Sequence, residues 1–240
     1  MSYAPFAAGK IASPNYYSGR STSICKFTPH HMAAAVSAAT CGTWFQNPDR
    51  QASSNYGIGM DGELICYVDD ENTAWTSSSY WNDTRAITVE VANTPEGVWN
   101  DTWEVSAAAW ETLVRLGVYV CSKYGFRLEY TGDEYGTLTE HNMFASTGCP
   151  GPYLHARMGL LEEVVNSILD GGGDMATAEE VWAYTNKALE GNKDCYQILR
   201  DTRDAALRAE AAAKKATTGG VDVDAIAEAV ANKIAARMKA

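Results

Sequence analysis

Ala86-Ile-Thr-Val-Glu90-Val-Ala92 decides the fold of this chain. Ile87, Val89 and Val91 alternate with Thr88 and Glu90, and a period of two marks a strand whose successive side chains leave opposite faces. One face is therefore expected to be buried, with Glu90 on the other. Downstream the period changes. Trp110, Leu113, Val114, Val118 and Cys121 recur at i, i+3, i+4, i+8 and i+11, the spacing of one helix face, with Ser106 as N-cap and Gly125 as the stop.

The flanking segments repeat this exchange of periods. Residues 24–28 read as a strand that delivers His30 at its end. Pro29 cannot donate a ladder hydrogen bond, so that strand must end there or lie at a sheet edge. Residues 33–45 read as a short helix closed by Asn47-Pro48. Residues 63–68 read as a strand entered through the Asp61-Gly62 turn, and residues 126–130 as another. After Pro150 a helical stripe runs through Leu154, Met158, Leu161, Val165 and Ile168 to Gly171-Gly-Gly173. Strands interleaved with helices predict an α/β fold, a mixed central β-sheet flanked by helices.

A second stretch carries the chemistry: His141-Asn-Met-Phe-Ala-Ser-Thr-Gly-Cys149-Pro150, with His30-His31 far upstream. Zinc prefers imidazole nitrogen and thiolate sulfur, and a catalytic zinc takes three protein ligands and leaves one position open. His30, His141 and Cys149 form such a set, unlike the paired, closed ligands of a zinc finger. Adjacent strand side chains diverge, so only one of His30 and His31 can reach the metal. An open site of this kind points to hydrolysis.

Composition narrows the classes. The 240 residues suffice for one catalytic core and an appendage. No run of about 18 apolar residues is present, which predicts no membrane insertion. The N-terminus lacks a basic start followed by an apolar core, so no signal peptide is expected and the protein is expected to be held in the cytoplasm. A net charge of −11 argues against nucleic acid and gives no attraction to an anionic cell wall. Six cysteines at 25, 41, 66, 121, 149 and 195 show no CxxC, and read as buried thiols plus one metal ligand.

Four ordered segments carry a resemblance. They are His30-His31-Met-Ala, Ser53-Ser-Asn-Tyr-Gly-Ile-Gly-Met-Asp-Gly62, Ala86-Ile-Thr-Val-Glu-Val-Ala-Asn93, and His141 through Cys149-Pro-Gly151. In this order and spacing the chain resembles the zinc-dependent N-acetylmuramoyl-L-alanine amidases, the family of phage endolysins, autolysins and peptidoglycan recognition proteins. The resemblance implies Zn2+ as cofactor, held by His30, His141 and Cys149, and bacterial peptidoglycan as partner. It implies Glu90 as the carboxylate that moves the proton, with Glu140 as the fallback, and Thr147 where many phage relatives carry an oxyanion-stabilising lysine. The position that carries a catalytic tyrosine in one branch is Ser54 here, and Tyr56 is its strand neighbour. His31 and His155 are expected to be structural.

The implied reaction is cleavage of the amide between the lactyl group of N-acetylmuramic acid and L-alanine. The implied setting is a phage or prophage endolysin, cytoplasmic until released to the wall as in holin-dependent lysis. Two other readings remain: a non-catalytic peptidoglycan sensor, which retention of all three ligands opposes, and a cytoplasmic recycling amidase. The domains expected are a catalytic unit at 1–170, a helical linker segment at 174–216 opened by a capping box at Thr177, and an amphipathic helix at 221–240. Ile226, Val230, Ile234 and Met238 form a stripe that twenty residues cannot bury alone. It must dock on its own domain, pair with another copy as a homo-oligomer, or meet an external partner.

Overall fold

The computed structural model describes residues 3–171. The segments expected at 174–216 and 221–240 lie outside them. Among the described residues seven strands occur in chain order: β1 (Gly9–Lys10), β2 (Tyr16–Tyr17), β3 (Lys26–His31), β4 (Tyr56–Ile58), β5 (Leu64–Cys66), β6 (Thr73–Ala74) and β7 (Ala86–Val91). The helices are α1 (Ala38–Phe45), α2 (Tyr80–Asp83), α3 (Pro95–Trp99), α4 (Ala107–Tyr124), α5 (Gly151–His155) and α6 (Met158–Asp170). The central sheet has the order β1-β5-β4-β7-β3, and β2 pairs with β6 in a separate antiparallel ribbon. In the central sheet β4 and β5 are antiparallel and the other neighbours parallel, so the sheet is mixed.

The alternation read in β7 sorts the two sheet faces. Ile87, Val89 and Val91 join Phe27, Tyr56, Ile58, Leu64 and Cys66 in the larger core, closed by Leu113, Leu116 and Val118 of α4 and Leu161 and Val165 of α6. On the other face Met32, Ile65, Tyr67 and Ala92 pack with Ala38, Cys41 and Phe45 of α1. Thr88 and Glu90 belong to that second face by strand alternation.

Several boundaries differ from the sequence reading. The first long strand continues through Pro29 to His31, because β3 is an edge strand whose ladder runs only to β7. An edge leaves one side of the strand free of ladder donors, so proline is tolerated. Helix α1 starts only after Ser37, whose side chain accepts from the Thr40 backbone, since Ala33 adopts a left-handed φ of 53°. Residues 126–130 form no strand: Leu128 N–H donates to the Asn166 side chain and Glu129 N–H to Thr137 Oγ1. Side chains thus take the groups a ladder would have used. The stripe after Pro150 is broken into α5 and α6, with Ala156 N–H closing on Pro152 O and Arg157 N–H on Leu154 O.

A buried carboxylate ties the N-terminal segment to the core. Asp70, 2% exposed, accepts from Tyr56 OH at 2.6 Å, and from Lys123 Nζ and Tyr124 OH at 2.8 Å each. Tyr56 OH in turn accepts from Ala4 N–H at 2.8 Å. Tyr56 is therefore committed to the larger core and does not line a cleft on the opposite face. Removing the acceptor leaves buried hydroxyls without a partner. Asp70→Ala is expected to lower unfolding free energy by about 2–4 kcal/mol in a denaturant titration.

Candidate metal centre

Register places the site. His30 on β3 pairs with Glu90 on β7, which pairs with Gly57 on β4, so the three form one row across parallel strands. Residues in such a row share a face. Gly57 gives its place in the row to Tyr67: a Cβ there would lie 1.9 Å from the Tyr67 hydroxyl, which passes over it to donate to Ala38 O at 2.5 Å. His31, one residue on, falls on the opposite face and sits edge-on to Trp103 with ring centroids 4.9 Å apart. Alternation thus leaves His30 with the row.

The loop that carries the other donors is closed on itself. His141 begins a short 3-10 turn, Ala145 N–H donates back to His141 O at 3.1 Å, and Asn142 N–H donates to Cys149 O at 3.2 Å. Residues eight apart in sequence are thereby brought together. The Leu138 bridge to Phe27 fixes the loop's entry beside β3. The Cys149–Pro150 peptide is cis.

Donor atoms of His30, His141 and Cys149 all lie within 4.8 Å of one another. The His30 and His141 rings stand 4.8 Å apart at 53°, and Cys149 Sγ is 3.4 Å from His30 Nδ1. Zinc bonds of about 2.1 Å to nitrogen and 2.3 Å to sulfur at a tetrahedral angle span about 3.5 Å between donors. This edge therefore already has the length that a shared zinc requires. Nε2 of His141 is buried and has no hydrogen-bond partner among the described residues, a cost that a cation can remove.

Electrostatics agree with that fit. Burial, then the neighbouring His141 and His31, hold the His30 pKa well below its usual value, and burial lowers that of His141. Neutral imidazoles keep a lone pair for a metal. Burial pushes the Cys149 thiol up, with the Glu90 and Glu140 carboxylates adding to it; a bound cation reverses this and takes the thiolate. Burial also raises Glu90 to about 8, with Arg50 opposing. His31 falls to about 4 through burial and carries no charge at neutral pH.

The remaining expected residues are placed as follows. Thr147 is exposed on the donor loop, and its Oγ1 accepts from Cys149 N–H at 3.2 Å. That bond uses the oxygen and leaves the hydroxyl proton free to be donated. Glu140, 1% exposed, accepts from Tyr130 OH at 3.2 Å and meets His155 Nδ1 at 2.9 Å. It is therefore committed to holding the base of the His141 loop. Sequence reading offered no signal for the Tyr130 and His155 contacts, which join separate segments of the chain. Trp103, equally unmarked, packs on His31 and also covers Gly151, where a Cβ would come within 2.8 Å of it.

Fold and donor set together define a class: an α/β protein whose mixed sheet carries a His2Cys cluster able to hold one cation. The family is more specific. The N-acetylmuramoyl-L-alanine amidase profile matches residues 21–152, more than half of the chain, and the chain belongs to that family. No curated protein sequence matches. Among solved structures, a selenomethionine derivative of AmpD is similar at TM-score 0.50 and 19% identity, covering 67% of this chain and 96% of its own. A mutant endolysin from Bacillus subtilis is similar at TM-score 0.51 and 15% identity, over 65% of this chain and 97% of that one. The catalytic domain of XlyA is similar at TM-score 0.50 and 15% identity, over 64% and 95%. At these identities the likeness concerns the fold.

Proposed function

We propose that this chain is a zinc-dependent peptidoglycan hydrolase that cleaves the amide between the N-acetylmuramic acid lactyl group and L-alanine of the stem peptide. The observation that carries the reading is the row that sets Glu90 beside His30 on the face where His141 and Cys149 converge. His30, His141 and Cys149 would hold the metal. When bound, zinc polarises the amide carbonyl and makes hydroxide available near neutral pH.

The chain's own residues supply the rest. Glu90, held at a raised pKa by burial, takes a proton from the attacking water and delivers it to the departing alanine nitrogen, general acid-base work worth roughly 10² to 10⁴ in rate. Thr147 donates its hydroxyl proton to the oxygen that gains charge. It brings no positive charge, so it is the weaker contributor. Glu140, tied to Tyr130 and His155, keeps the His141 loop in place.

Within the amidases an endolysin role would fit the sequence expectation of a catalytic unit at 1–170 followed by helical segments at 174–216 and 221–240 that target the wall or pair copies; those segments lie outside the described residues. No helix among the described residues is long and apolar enough to cross a membrane. The test is digestion of purified peptidoglycan, following new amino groups against new reducing sugars. Amine release without reducing ends is expected. Wall binding without amine release, across several wall chemotypes and with zinc supplied, would instead make the chain a sensor.

A further inference from the structure

Trp103 holds a backbone conformation that large side chains rarely adopt. Its φ is 55°, in the left-handed region, and so is that of Asp101 two residues before it. A bulky residue there carries a conformational cost and persists only where its surroundings hold it. Trp103 N–H donates to Gly97 O at 2.9 Å, and Thr94 N–H donates to Glu104 O at 2.7 Å. The Asn93 amide, fully buried, donates through Nδ2 to Trp103 O at 2.7 Å. A Cβ on Gly97 would lie 2.5 Å from the Glu104 nitrogen, so α3 presses on the same turn. Glycine meets such a φ at no steric cost, so the side chain, not the turn, calls for tryptophan here.

That side chain packs on two segments that carry metal donors. On one side its ring meets the His31 ring, with centroids 4.9 Å apart and planes at 78°; His31 follows His30 directly. On the other it lies over Gly151, where a Cβ would come 2.8 Å from Trp103 Cβ and 3.1 Å from Cγ. Gly151 stands two residues after Cys149, at a φ of 81°, and its N–H donates to Gly148 O at 2.7 Å, so a tight turn around Cys149 lies under the ring. The two segments also meet each other. The His31 backbone N–H bonds the Cys149 sulfur, which lies 3.4 Å from His30 Nδ1 across 119 residues of sequence. Asn93, which fixes the Trp103 carbonyl, follows the strand that carries Glu90, and its own N–H donates to Ala34 O beyond β3 at 3.0 Å.

We propose that Trp103 is a positioning residue for the metal centre: its ring clamps the His31 end of β3 to the Cys149–Gly151 turn and holds His30 and Cys149 at metal-binding separation before the ion arrives. This role rests on the reading above, in which His30, His141 and Cys149 hold zinc. Donors already fixed at the right spacing lose less freedom when a cation binds. Large flat rings suit such a clamp, because an edge-on aromatic pair adds to the area it buries and few torsions need fixing. Trp103 acts through His31 and Gly151, so it sets the place of the ligands and leaves their chemistry alone. Groups that stand behind metal ligands typically control affinity by about 10- to 100-fold.

Zinc affinity of the metal-stripped full chain, measured by competition with a chromogenic chelator, tests this. Trp103→Ala is expected to weaken binding by about 10-fold or more, while Trp103→Phe, which keeps a ring, stays within about threefold of wild type. His31→Ala removes the surface on which the ring packs and should also weaken binding. The double variant should then bind within about twofold of Trp103→Ala, because both changes break one contact. A merely structural role would lower the melting temperature of the metal-free chain and leave the affinity of the folded chain untouched. Equal zinc affinity in folded Trp103→Ala, or losses that add in full in the double variant, would overturn the clamp. Should Trp103→Ala not fold, unchanged affinity in His31→Ala overturns it instead. A wild type that binds zinc no better than Cys149→Ala would overturn the metal centre and the clamp with it. Wild-type binding lost in Cys149→Ala but kept in Trp103→Ala would overturn the clamp alone.

Discussion

Cys149→Ala is expected to empty the metal centre and to lower amine release from peptidoglycan by on the order of 10³-fold or more, several kcal/mol of Lewis acid stabilisation. The thiolate is the one donor of the three that carries charge, and it contacts His30 Nδ1 at 3.4 Å, so its loss removes both a ligand and the edge that defines the pocket. Zinc content after dialysis should fall from near one equivalent to near zero. A variant that keeps its zinc, or loses zinc but keeps its rate, would place the metal or the chemistry elsewhere. Thermal unfolding of wild type should shift upward with added zinc, while that of the variant should not.

Glu90→Gln separates proton transfer from metal binding. Gln keeps the shape and the place in the row beside His30 but cannot accept a proton, so the rate is expected to fall by roughly 10² to 10⁴ with zinc content unchanged. The same substitution has an opposite effect on the metal-free fold. Burial raises Glu90 from 4.5 to about 8, so the folded state favours the protonated acid. Wild type therefore loses stability as pH climbs from about 4.5 through 8, because the folded chain must then hold a partly buried charge. In chelator, Glu90→Gln should match wild type near pH 4 and unfold at higher temperature near pH 9. An equal rate in the variant would remove Glu90 from the proton path.

Local signals in the sequence were enough for the elements that depend on them. The 87–91 alternation, the Ser106 cap and the Gly125 stop each rest on a period or a dihedral preference, and each appears in the fold as read. Pro29 announced an edge because the missing donor is a property of the residue itself. Residues 126–130 read as a strand but are not one: their apolar alternation is real, yet Asn166 and Thr137 from elsewhere take their backbone groups. The break at Ala156–Arg157 likewise leaves the apolar stripe intact and escapes a periodicity reading.

The candidate site divides the same way. Donor chemistry singled out His30, His141 and Cys149, and the structure brings the three together. The row that joins His30 to Glu90 is a matter of strand register between distant segments, which no local spacing encodes. Tyr56 shows the reverse: adjacent to a motif in sequence, it faces the larger core and bonds Asp70. Trp103 meets His31 and Gly151 from a loop far from both in the chain, so that assembly is tertiary throughout.

The most direct measurement strips the chain of metal, confirms the loss by elemental analysis, and follows amine release from peptidoglycan as zinc is returned. No release is expected from the stripped protein, and recovery should saturate at one equivalent of zinc, with no reducing ends at any point. Full release from the metal-free chain, or no release at any zinc level while the wall polymer remains bound, would contradict a zinc-dependent amidase.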